Sequence, residues 1–412
     1  MKRIAVIGAG ISGMAAAYYL SRKHEVTLFE KAARLGGHTH TVLVNGLEID
    51  TGFIVHNDRT YPHLIRLFKE LGVATAPSDM SFSVSNRKTG FEYSSRGLNG
   101  FFAQRGNAFS PLHYRLLREI LRFNREAPRL LTEPGAEELS LSSYLARGRF
   151  HNIFLERYLY PMAAAVWSMS TSVIGRFPAL TLIRFFQNHG MLGIDTHPKW
   201  RIVEGGSSRY VAPLIAPCGD RVFLETNLRS VVRTEHGVTL KIAGRPDLAV
   251  DEVVFATHGN QILPLLADPS DAETDVLSQF ETSRNEVCLH TDSSLLPVRA
   301  QARAAWNYNL SEDTPAGATV TYYMNRLQSL TSTEDYCVTL NATSAIHPDK
   351  ILRRMVYYHP LFTSSAVRAQ QRWSEISGIN RIHYCGAYWF NGFHEDGLNS
   401  ALRVAQSLGV NC

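Results

Sequence analysis

The sequence predicts an α/β protein, in which helices flank a parallel sheet and a second, α+β domain is inserted into the first. Three observations favour this fold class. Residues 3–30 alternate strand, glycine turn, helix and strand, residues 62–200 are mostly helical by pattern, and residues 261–373 contain short β-rich runs. A chain of 412 residues is also too long for one small core, so two packed domains are expected.

The amino-terminal segment has the pattern of a dinucleotide-binding βαβ unit. Residues 3–7 (R-I-A-V-I) form a short apolar run that is typical of a buried parallel strand. The sequence G-A-G-I-S-G follows at once, and the Ala-rich run 14–20 predicts a helix. A second strand over 25–29 ends at Glu30. This order of strand, glycine turn, helix, strand and acid predicts a Rossmann-like domain.

Each residue of the glycine turn has an expected role. Gly8 permits the tight turn, Gly10 lets the backbone approach a pyrophosphate, and Gly13 lets the helix pack closely on the strands. Ile11 and Ser12 begin the helix, whose free N–H groups and positive dipole end favour phosphate. The sequence therefore predicts a binding site for the phosphates of a dinucleotide.

The residues after the second strand favour FAD over NAD. Glu30 is expected to accept hydrogen bonds from the adenosine ribose, and its charge disfavours the 2′-phosphate of NADP. Residues 31–38 (K-A-A-R-L-G-G-H) resemble the second glycine motif, E-x-x-x-R-x-G-G-R, of the amine-oxidase-like FAD enzymes. His38 stands where that family commonly has arginine, so one fixed cation near the phosphates is lost. The resemblance implies FAD, a glutathione-reductase-like fold of the amine oxidase type, and these ligands: Lys31, Arg34, Gly36, Gly37 and His38. Noncovalent binding is expected, and covalent attachment stays open because Cys385 lies near the expected cofactor.

Two further segments resemble parts of the FAD site in the same family. Residues 47–55 (L-E-I-D-T-G-F-I-V) are similar to the segment that runs beside the isoalloxazine ring, where a glycine allows close approach. Residues 222–233 resemble the strand pair whose backbone meets the adenine. The resemblance adds these cofactor contacts: Gly52, Phe53, Ile54 and Leu228.

The carboxyl-terminal segment 382–405 resembles the strand, glycine, loop and helix with which these flavoenzymes finish. The resemblance places Gly386 near the pyrophosphate or the ribityl chain. It also places Asp396, Gly397 and Leu398 at a helix N-terminus near N1 and O2 of the flavin. A helix dipole there would stabilise the negative charge of reduced flavin.

The loop before that helix contains the candidate substrate and proton-transfer residues. Tyr388, Trp389 and Phe393 are expected to wall an apolar channel. His394 and Glu395 are the titratable groups nearest the expected flavin, and either is a candidate to shuttle protons. The alternative role for both is to fix the start of the helix.

The remaining segments are expected to form the domain that covers the flavin. The resemblance implies a discontinuous FAD-binding domain of residues 1–75, 200–260 and 375–412, and a substrate-binding or cap domain of residues 76–199 and 261–374. Trp167 and Tyr323 are candidate pocket residues, with ordinary core packing as the alternative. His258 is expected to pack a loop, and catalysis is its alternative role.

Charge and cysteine usage limit the partners. The formal net charge is +5, and four arginines at helical spacing indicate either a solvated face or attraction to anionic lipid headgroups or an acidic substrate: Arg115, Arg118, Arg122 and Arg125. No motif accompanies this charge to indicate nucleic-acid binding. Five widely spaced cysteines argue against a disulfide framework or a metal site and favour a reducing cytoplasm. No apolar run reaches the length of a membrane-spanning helix, so we expect a cytoplasmic protein with, at most, peripheral contact at the inner face of the membrane.

The function is expected from the resemblance as well. Residues 393–398 (F-H-E-D-G-L) and 200–207 (W-R-I-V-E-G-G-S) resemble a bacterial branch of flavin oxidoreductases associated with cyclopropane-fatty-acid-synthase-like methyltransferases. This implies a dehydrogenase or desaturase of a fatty acyl or other apolar lipid, with hydride transfer to flavin N5 and a methyltransferase as a candidate partner. Three alternatives stay open: an amine oxidase that releases hydrogen peroxide, a flavin-containing accessory subunit of a methyltransferase, and a carotenoid- or porphyrinogen-type desaturase.

Overall fold

The computed structural model describes residues 1–167, 174–193, 198–310 and 319–411. The strands in these ranges are β1 Arg3–Ile7, β2 Glu25–Phe29, β3 Thr41–Val44, β4 Leu47–Asp50, β5 Val55–Asn57, β6 Thr75–Pro77, β7 Phe82–Asn86, β8 Phe91–Ser94, β9 Trp200–Val203, β10 Val222–Phe223, β11 Leu228–Thr234, β12 Gly237–Ile242, β13 Leu248–Val250, β14 Glu252–Phe255, β15 Glu281–His290, β16 Trp306–Asn309, β17 Val320–Tyr323, β18 Cys337–Leu340, β19 Ile351–Leu361 and β20 Ile382–Tyr384. The α-helices of seven or more residues are α1 Ile11–Leu20, α2 Pro62–Glu70, α3 Pro111–Glu126, α4 Leu141–Arg147, α5 Tyr160–Trp167, α6 Ala179–Asn188, α7 Asp271–Leu277, α8 Ser364–Gln370 and α9 His394–Ser407.

A parallel five-stranded sheet in the order β10-β2-β1-β14-β20 carries the cofactor motifs. In its centre Val6 pairs with Leu28 on one side and with Val254 on the other. The central strands are buried on both faces, which is why they read as nearly unbroken apolar runs. All five strands end at the same edge, and this edge is where ligands bind in open α/β sheets. The predicted α/β fold class is confirmed.

A mixed seven-stranded sheet forms the base of the second part of the molecule, in the order β19-β15-β18-β17-β16-β7-β8. Its neighbours run antiparallel except for β16 and β7, which are parallel. The sequence pattern predicted helices through residues 62–200, so β7 and β8 correct that expectation. Both strands alternate side chains with a period of two, as in F-S-V-S-N at residues 82–86, around a turn that ends at Gly90.

Two apolar cores follow this division. One packs α1, α9 and the short helix Val211–Ile215 against the parallel sheet, and it also takes in Phe280 and residues from α8. The other packs α3, α5 and α6 against the seven-stranded sheet. Three smaller groups of strands complete the described structure: β3–β4, β5–β9–β6 and β11–β12–β13. Strand β9 contributes Val203 to the first core and Ile202 to the second. No helix in the described ranges is long and apolar enough to cross a membrane.

Candidate cofactor and substrate site

The first glycine turn has the geometry that a pyrophosphate requires. Gly8 adopts φ +100°, and its N–H donates to the Phe29 carbonyl at 2.7 Å. A Cβ at Gly13 would lie 1.8 Å from the Gly8 carbonyl oxygen, so the helix touches the strand there. At Gly10, by contrast, a Cβ would meet no atom of the described residues within 4 Å. The space above the N-terminus of α1 is therefore open where a phosphate would bind.

The second glycine loop packs directly on the first. The Gly36 N–H donates to the Ala9 carbonyl at 2.8 Å, and a Cβ at Gly37 would lie 3.0 Å from the Gly10 Cα. Glu30 accepts from the backbone N–H of Ala9 at 2.7 Å and from that of Ala32 at 2.8 Å. These bonds hold its carboxylate at the carboxyl edge of the sheet, where the ribose of a dinucleotide binds.

Arg34 has a different role from the one expected. Its guanidinium donates to the carbonyls of Leu35, Gly37 and Thr39 at 3.2, 2.7 and 3.2 Å. The side chain thus fixes the glycine loop from within. Because His38 also replaces the arginine common in similar sequences, the loop offers phosphate mainly backbone N–H groups and the exposed Lys31.

The segment expected beside the isoalloxazine ring packs against the same loop. The Phe53 N–H donates to the His38 carbonyl at 2.7 Å, and a Cβ at Gly52 would lie 2.1 Å from that oxygen. Phe53 and Ile54 are buried. The close approach predicted for Gly52 is therefore made to the backbone of His38.

The segment expected to meet the adenine lies beside the end of β2. The Thr226 N–H donates to the Glu30 carbonyl at 2.8 Å, and the Phe223 ring stacks on Phe29 with 5.5 Å between centroids. Leu228 begins β11, two residues after this contact. The chain from 223 to 228 thus lies beside the acid that would hold the ribose.

A cluster of histidines occupies the carboxyl edge of the sheet. The His38 ring lies 6.0 Å from the ring of His258 and 5.2 Å from those of His359 and Tyr357. Burial, and secondly the charge of neighbouring histidines, lowers the pKa of His38 well below its ordinary value. Burial lowers the pKa of His359 to about 4 and also lowers that of His258. These rings are therefore neutral at neutral pH.

Sequence reasoning missed Tyr357 and His359 as neighbours of the cofactor loop. Their spacing of two within a strand was the available signal, since residues i and i+2 point to the same face. Tyr357 also bonds His40 Nδ1 at 2.7 Å and Thr51 Oγ1 at 2.8 Å. It therefore links β19 to the segment that precedes Gly52.

The N-terminus of α9 packs against the N-terminus of α1. A Cβ at Gly397 would lie 2.8 Å from Ile11 Cγ2 and 2.8 Å from Ser12 Oγ, so these helices touch through the glycine. Leu398 is fully buried. The Gly386 N–H donates to Ser400 Oγ at 2.7 Å, which fixes the loop after β20 to the same helix. The residues predicted to contact the phosphates and the flavin thus come together at one edge of the parallel sheet.

Glu395 and Asp396 both bind backbone N–H groups. Glu395 accepts from His63 and Leu64, each at 2.9 Å, and so caps the N-terminus of α2. Asp396 accepts from the Phe393 N–H at 2.9 Å and caps its own helix. The structural alternative therefore fits Glu395 better than the proton shuttle. Burial raises the pKa of Asp396 to about 7 and also raises that of Glu395.

His394 is enclosed by hydrogen-bonding and aromatic neighbours. Its Nε2 lies 3.0 Å from Thr39 Oγ1 and 3.0 Å from the Tyr210 hydroxyl. Thr39 and Tyr210 also bond each other. Burial lowers the pKa of His394 to about 3, so the ring is neutral at neutral pH. This arrangement favours a positioning role for His394 over a shuttle that must titrate.

Most of the residues expected in the substrate pocket lie in the core. Tyr388 and Trp389 are 4% and 2% exposed, and their rings pack 4.7 and 4.8 Å from that of Phe280. They belong to the apolar core of the parallel sheet, which corrects the expectation that they wall a channel. Trp167 is buried against Phe177.

Tyr323, at the end of β17, has a polar partner within the chain. Its hydroxyl donates to Asp335 Oδ1 at 2.7 Å, on the seven-stranded sheet. Residues 168–170, which follow Trp167 in the segment that suggested a cavity, lie outside the described residues.

Phe393, the fifth of these residues, lines a cleft. This open cleft has a volume of about 590 Å³ and lies between the start of α2, the end of α6 and the N-terminus of α9. Its lining includes Arg59, His63, Phe185 and Asp396. Phe393 stacks on Phe185 with 4.9 Å between ring centroids. Asp396 and Gly397 are consecutive residues of α9. Asp396 lines the cleft, and Gly397 packs against α1.

The site fits FAD. The open space above Gly10, the fixed carboxylate of Glu30 and the helix N-terminus at Gly397 supply the contacts that its phosphates, ribose and ring system need. The thiol of Cys385, beside these residues in sequence, is buried, and burial raises its pKa above the ordinary value. Cys218, Cys288, Cys337 and Cys385 are free thiols.

Comparison with known proteins agrees with this geometry. A family model described as flavin containing amine oxidoreductase matches residues 11–408. Protoporphyrinogen oxidase 2 of Arabidopsis thaliana is 41% identical over 88 residues, which is 21% of this chain and 16% of that protein. 1-Hydroxycarotenoid 3,4-desaturase of Flavobacterium sp. is 27% identical over 186 residues, 44% of this chain and 34% of that protein. The matches thus span about a third or less of these relatives.

Solved structures match over the whole chain. A triple mutant of putrescine oxidase covers 99% of this chain and 98% of its own, with a TM-score of 0.74 and 16% identity. The CLA-producing fatty acid isomerase from P. acnes covers 99% of both chains, with a TM-score of 0.73 and 15% identity. At such identities the likeness shows the fold.

Proposed function

Because this chain belongs to the family of flavin-containing amine oxidoreductases and is an FAD-dependent oxidoreductase, we propose that it dehydrogenates a fatty acyl or other apolar lipid that carries an acidic group. The acyl chain would lie toward the flavin, and the acidic group would lie in the cleft beside Arg59. The observation that carries this proposal is that both carboxylates in the cleft are bonded to backbone N–H groups.

An amine substrate finds little to hold its ammonium group. Among the described residues that line the cleft, the carboxylates are those of Glu395 and Asp396. Both accept hydrogen bonds from backbone N–H groups, and burial raises the pKa of both. The aromatic pair Tyr388 and Trp389, which an amine cage would use, lies in the core. This arrangement disfavours the amine oxidase alternative.

An acidic, apolar substrate matches the rest of the lining. The lining includes the guanidinium of Arg59 and the imidazole of His63, and the Phe185 and Phe393 rings supply an apolar wall. Two similar proteins are named for long apolar substrates, the fatty acid isomerase and the hydroxycarotenoid desaturase. Both resemblances support a lipid over a small polar metabolite.

The chain's own residues would bind and orient the reactants. Gly10 and the free N–H groups of α1 would hold the pyrophosphate, and Glu30 the ribose. His394 would keep Phe53 in place by stacking on it. Because the pKa of Asp396 is about 7, this carboxyl would hold a proton in about half of the molecules at neutral pH. FAD supplies the two-electron acceptor when it is bound.

An anaerobic absorbance titration of the yellow holoenzyme tests the proposal. Phospholipids, free fatty acids and amines are added in turn, and the flavin band is followed. Bleaching by an acyl lipid, with a new double bond in the product, is the expected result. Bleaching by amines alone would assign the protein to the amine oxidases. Bleaching by none of them, together with stable co-purification of a methyltransferase, would favour the accessory-subunit alternative.

A variant of the cleft sharpens the test. Arg59→Gln should raise KM for an acidic acyl substrate about tenfold and leave KM for its methyl ester unchanged, since one charge-assisted contact is lost. Lys69→Gln, on the exposed end of α2, is the matched control and should change neither. Equal KM changes for the acid and the ester would place the acidic group elsewhere.

A further inference from the structure

Apolar side chains face solvent on one lobe of the molecule, residues 96–121. Phe109 is 90% exposed and Leu98 is 75% exposed. Leu112, Tyr114 and Leu121 are 53%, 50% and 44% exposed. Large apolar side chains this exposed and this close in sequence form the kind of patch that marks an interaction site. We call Leu98, Phe109, Tyr114 and Leu121 the apolar tip.

The tip is held on a packed support. The short helix Gly97–Phe101 and the start of α3 meet where His113 Nε2 bonds the Phe101 carbonyl at 2.9 Å. The Tyr114 hydroxyl donates to the Ala108 carbonyl at 3.1 Å, which ties the turn that ends at Phe109 to the same helix. Ser110 caps α3 directly after Phe109. These bonds hold Phe109 beside Tyr114, while Leu112 lies 200° from Tyr114 around α3.

The segment that contains the tip is positively charged. Between residues 95 and 118 the sequence contains four arginines and no acidic residue. All four are exposed: Arg96, Arg105, Arg115 and Arg118. Within the described part of the chain, Arg96, Arg115 and Arg118 form no ion pair with a carboxylate. The nearby acids Glu119 and Glu126 are engaged by Arg122 at 3.3 and 3.2 Å.

The helix places charge and apolar groups on one face. At 100° per residue, Arg118 and Arg125 of α3 point to the same side as Tyr114 and Leu121. The opposite side, with Leu116 and Phe123, is buried in the apolar core of the seven-stranded sheet. An amphipathic surface with arginine beside exposed aromatic and aliphatic groups is the pattern of proteins that lie in a lipid interface.

We propose that the apolar tip docks this protein on a bilayer that contains anionic lipids. Phe109 and Leu98 enter the interface below the headgroups, and the arginines of the same segment pair with lipid phosphates. The absence of acidic residues among the exposed groups of residues 95–118 is the charge complementarity that selects this occupant. Docking requires neither FAD nor turnover, so it stands apart from the proposed function.

Co-sedimentation with vesicles tests the docking. The full-length holoenzyme should bind vesicles of phosphatidylcholine mixed with phosphatidylglycerol, and should bind pure phosphatidylcholine far more weakly. Added salt should weaken binding to the mixed vesicles. Equal binding to both compositions, or no binding to either, would overturn the proposal.

Variants separate the charge from the apolar insertion. The triple variant Arg96→Gln, Arg105→Gln, Arg118→Gln should lower the vesicle affinity about a hundredfold, at about fivefold for each arginine. Phe109→Asp with Leu98→Asp should abolish binding while flavin content and thermal unfolding stay unchanged. Ile379→Asp, at a residue 49% exposed on the turn before β20, is the matched control. Loss of binding in this control as well, or full binding by both lobe variants, would contradict the assignment.

One further variant keeps docking distinct from substrate binding. Arg59→Gln alters the cleft and should bind vesicles like the wild-type protein. The lobe variants should keep the wild-type rate of flavin reduction by a short-chain, water-soluble acyl substrate. If Arg59→Gln alone lost vesicle binding, the lipids would be held by the cleft and the docking surface would be rejected.

Discussion

The ring of His394 lies parallel to the ring of Phe53, with 3.7 Å between centroids and 13° between planes. One residue begins the last helix of the chain, and the other follows Gly52 in the amino-terminal third. The same imidazole bonds Thr39 and Tyr210 through Nε2. The His394 ring therefore links α9 to the segment of Thr39 and Phe53 and to Tyr210, beside the cofactor site.

His394 should make stability fall in acid. Burial lowers its pKa to about 3, so the folded protein keeps the ring neutral while the unfolded chain takes up a proton below about pH 6.5. Its contribution is complete above pH 6.5 and is lost as the pH falls, at up to about 1.4 kcal/mol per pH unit. The free energy of unfolding of the apoprotein should therefore fall less steeply in His394→Gln. His236→Gln, at a side chain 90% exposed, should keep the wild-type slope.

The carboxyl of Asp396 should make the free energy of unfolding fall as the pH rises. Burial raises its pKa to about 7 in the folded protein, above the ordinary value of 3.8. The folded state therefore binds a proton that the unfolded chain releases, so this contribution is complete below pH 3.8 and is lost as the pH rises through about 7. Asp396→Asn should lose less stability than the wild type between pH 5 and pH 8 in urea unfolding. An identical loss in both proteins would show that the carboxyl is ionised in the folded state.

Two glycines of the first turn should respond differently to alanine. Gly13→Ala places a Cβ 1.8 Å from a carbonyl oxygen, so the helix must move, at a cost of about 3 kcal/mol or more in unfolding free energy. Gly10→Ala meets no described atom and should leave the apoprotein within about 0.5 kcal/mol of the wild type. It should still lower the affinity for FAD at least tenfold, because the added methyl enters the space above the helix N-terminus. FAD titration and thermal unfolding measure both effects. Unchanged FAD affinity in Gly10→Ala would place the phosphates elsewhere.

Glu395→Gln should keep most of the enzyme's activity. If the side chain caps α2, the amide oxygen replaces one of two acceptors, and stability falls by about 1–2 kcal/mol. The rate of flavin reduction by substrate should stay within about threefold of the wild type. A loss of several orders of magnitude at unchanged stability would restore the proton-shuttle role.

Alanine variants of Trp389 and Phe393 should distinguish a residue that packs the core from a residue that contacts substrate. Trp389→Ala empties a core site and should lower the free energy of unfolding by about 3–5 kcal/mol. At a temperature where both proteins are folded, its KM should match the wild type. Phe393→Ala, in the cleft, should raise KM with a smaller loss of stability. A raised KM in Trp389→Ala alone would return that ring to the substrate site.

The amino-terminal unit was predictable because its sequence constraints are local. The spacing of Gly8, Gly10 and Gly13 follows from three separate steric demands within six residues, and β1, α1 and β2 fall where the pattern places them. The carboxyl-terminal helix was predicted as well, but it begins at His394, three residues before the expected start near Gly397. Those segments meet at one edge of the sheet, as the family resemblance implied.

Contacts between distant segments could not be predicted from the sequence alone. Glu395 accepts a hydrogen bond from the N–H of His63, 332 residues earlier in the chain, and no local pattern records that partner. Tyr388 and Trp389 have the composition of a pocket wall, but Phe280 arrives from another segment and covers them. The strands β7 and β8 were missed because neighbouring helical patterns outweighed two short alternating runs.

The order of the strands in the parallel sheet determines when, during translation, the sheet can be completed. β14 pairs with β1 on one side and with β20 on the other, and β20 is made after nearly all the rest of the chain. At about 5–20 residues per second, the ribosome adds β20 about 20–70 s after β2 is complete. During that interval the glycine turn exists without the helix that packs against it through Gly397. Cofactor loading therefore waits until β20 and α9 have been made, and the nascent chain must keep an unpaired strand edge from aggregating until then.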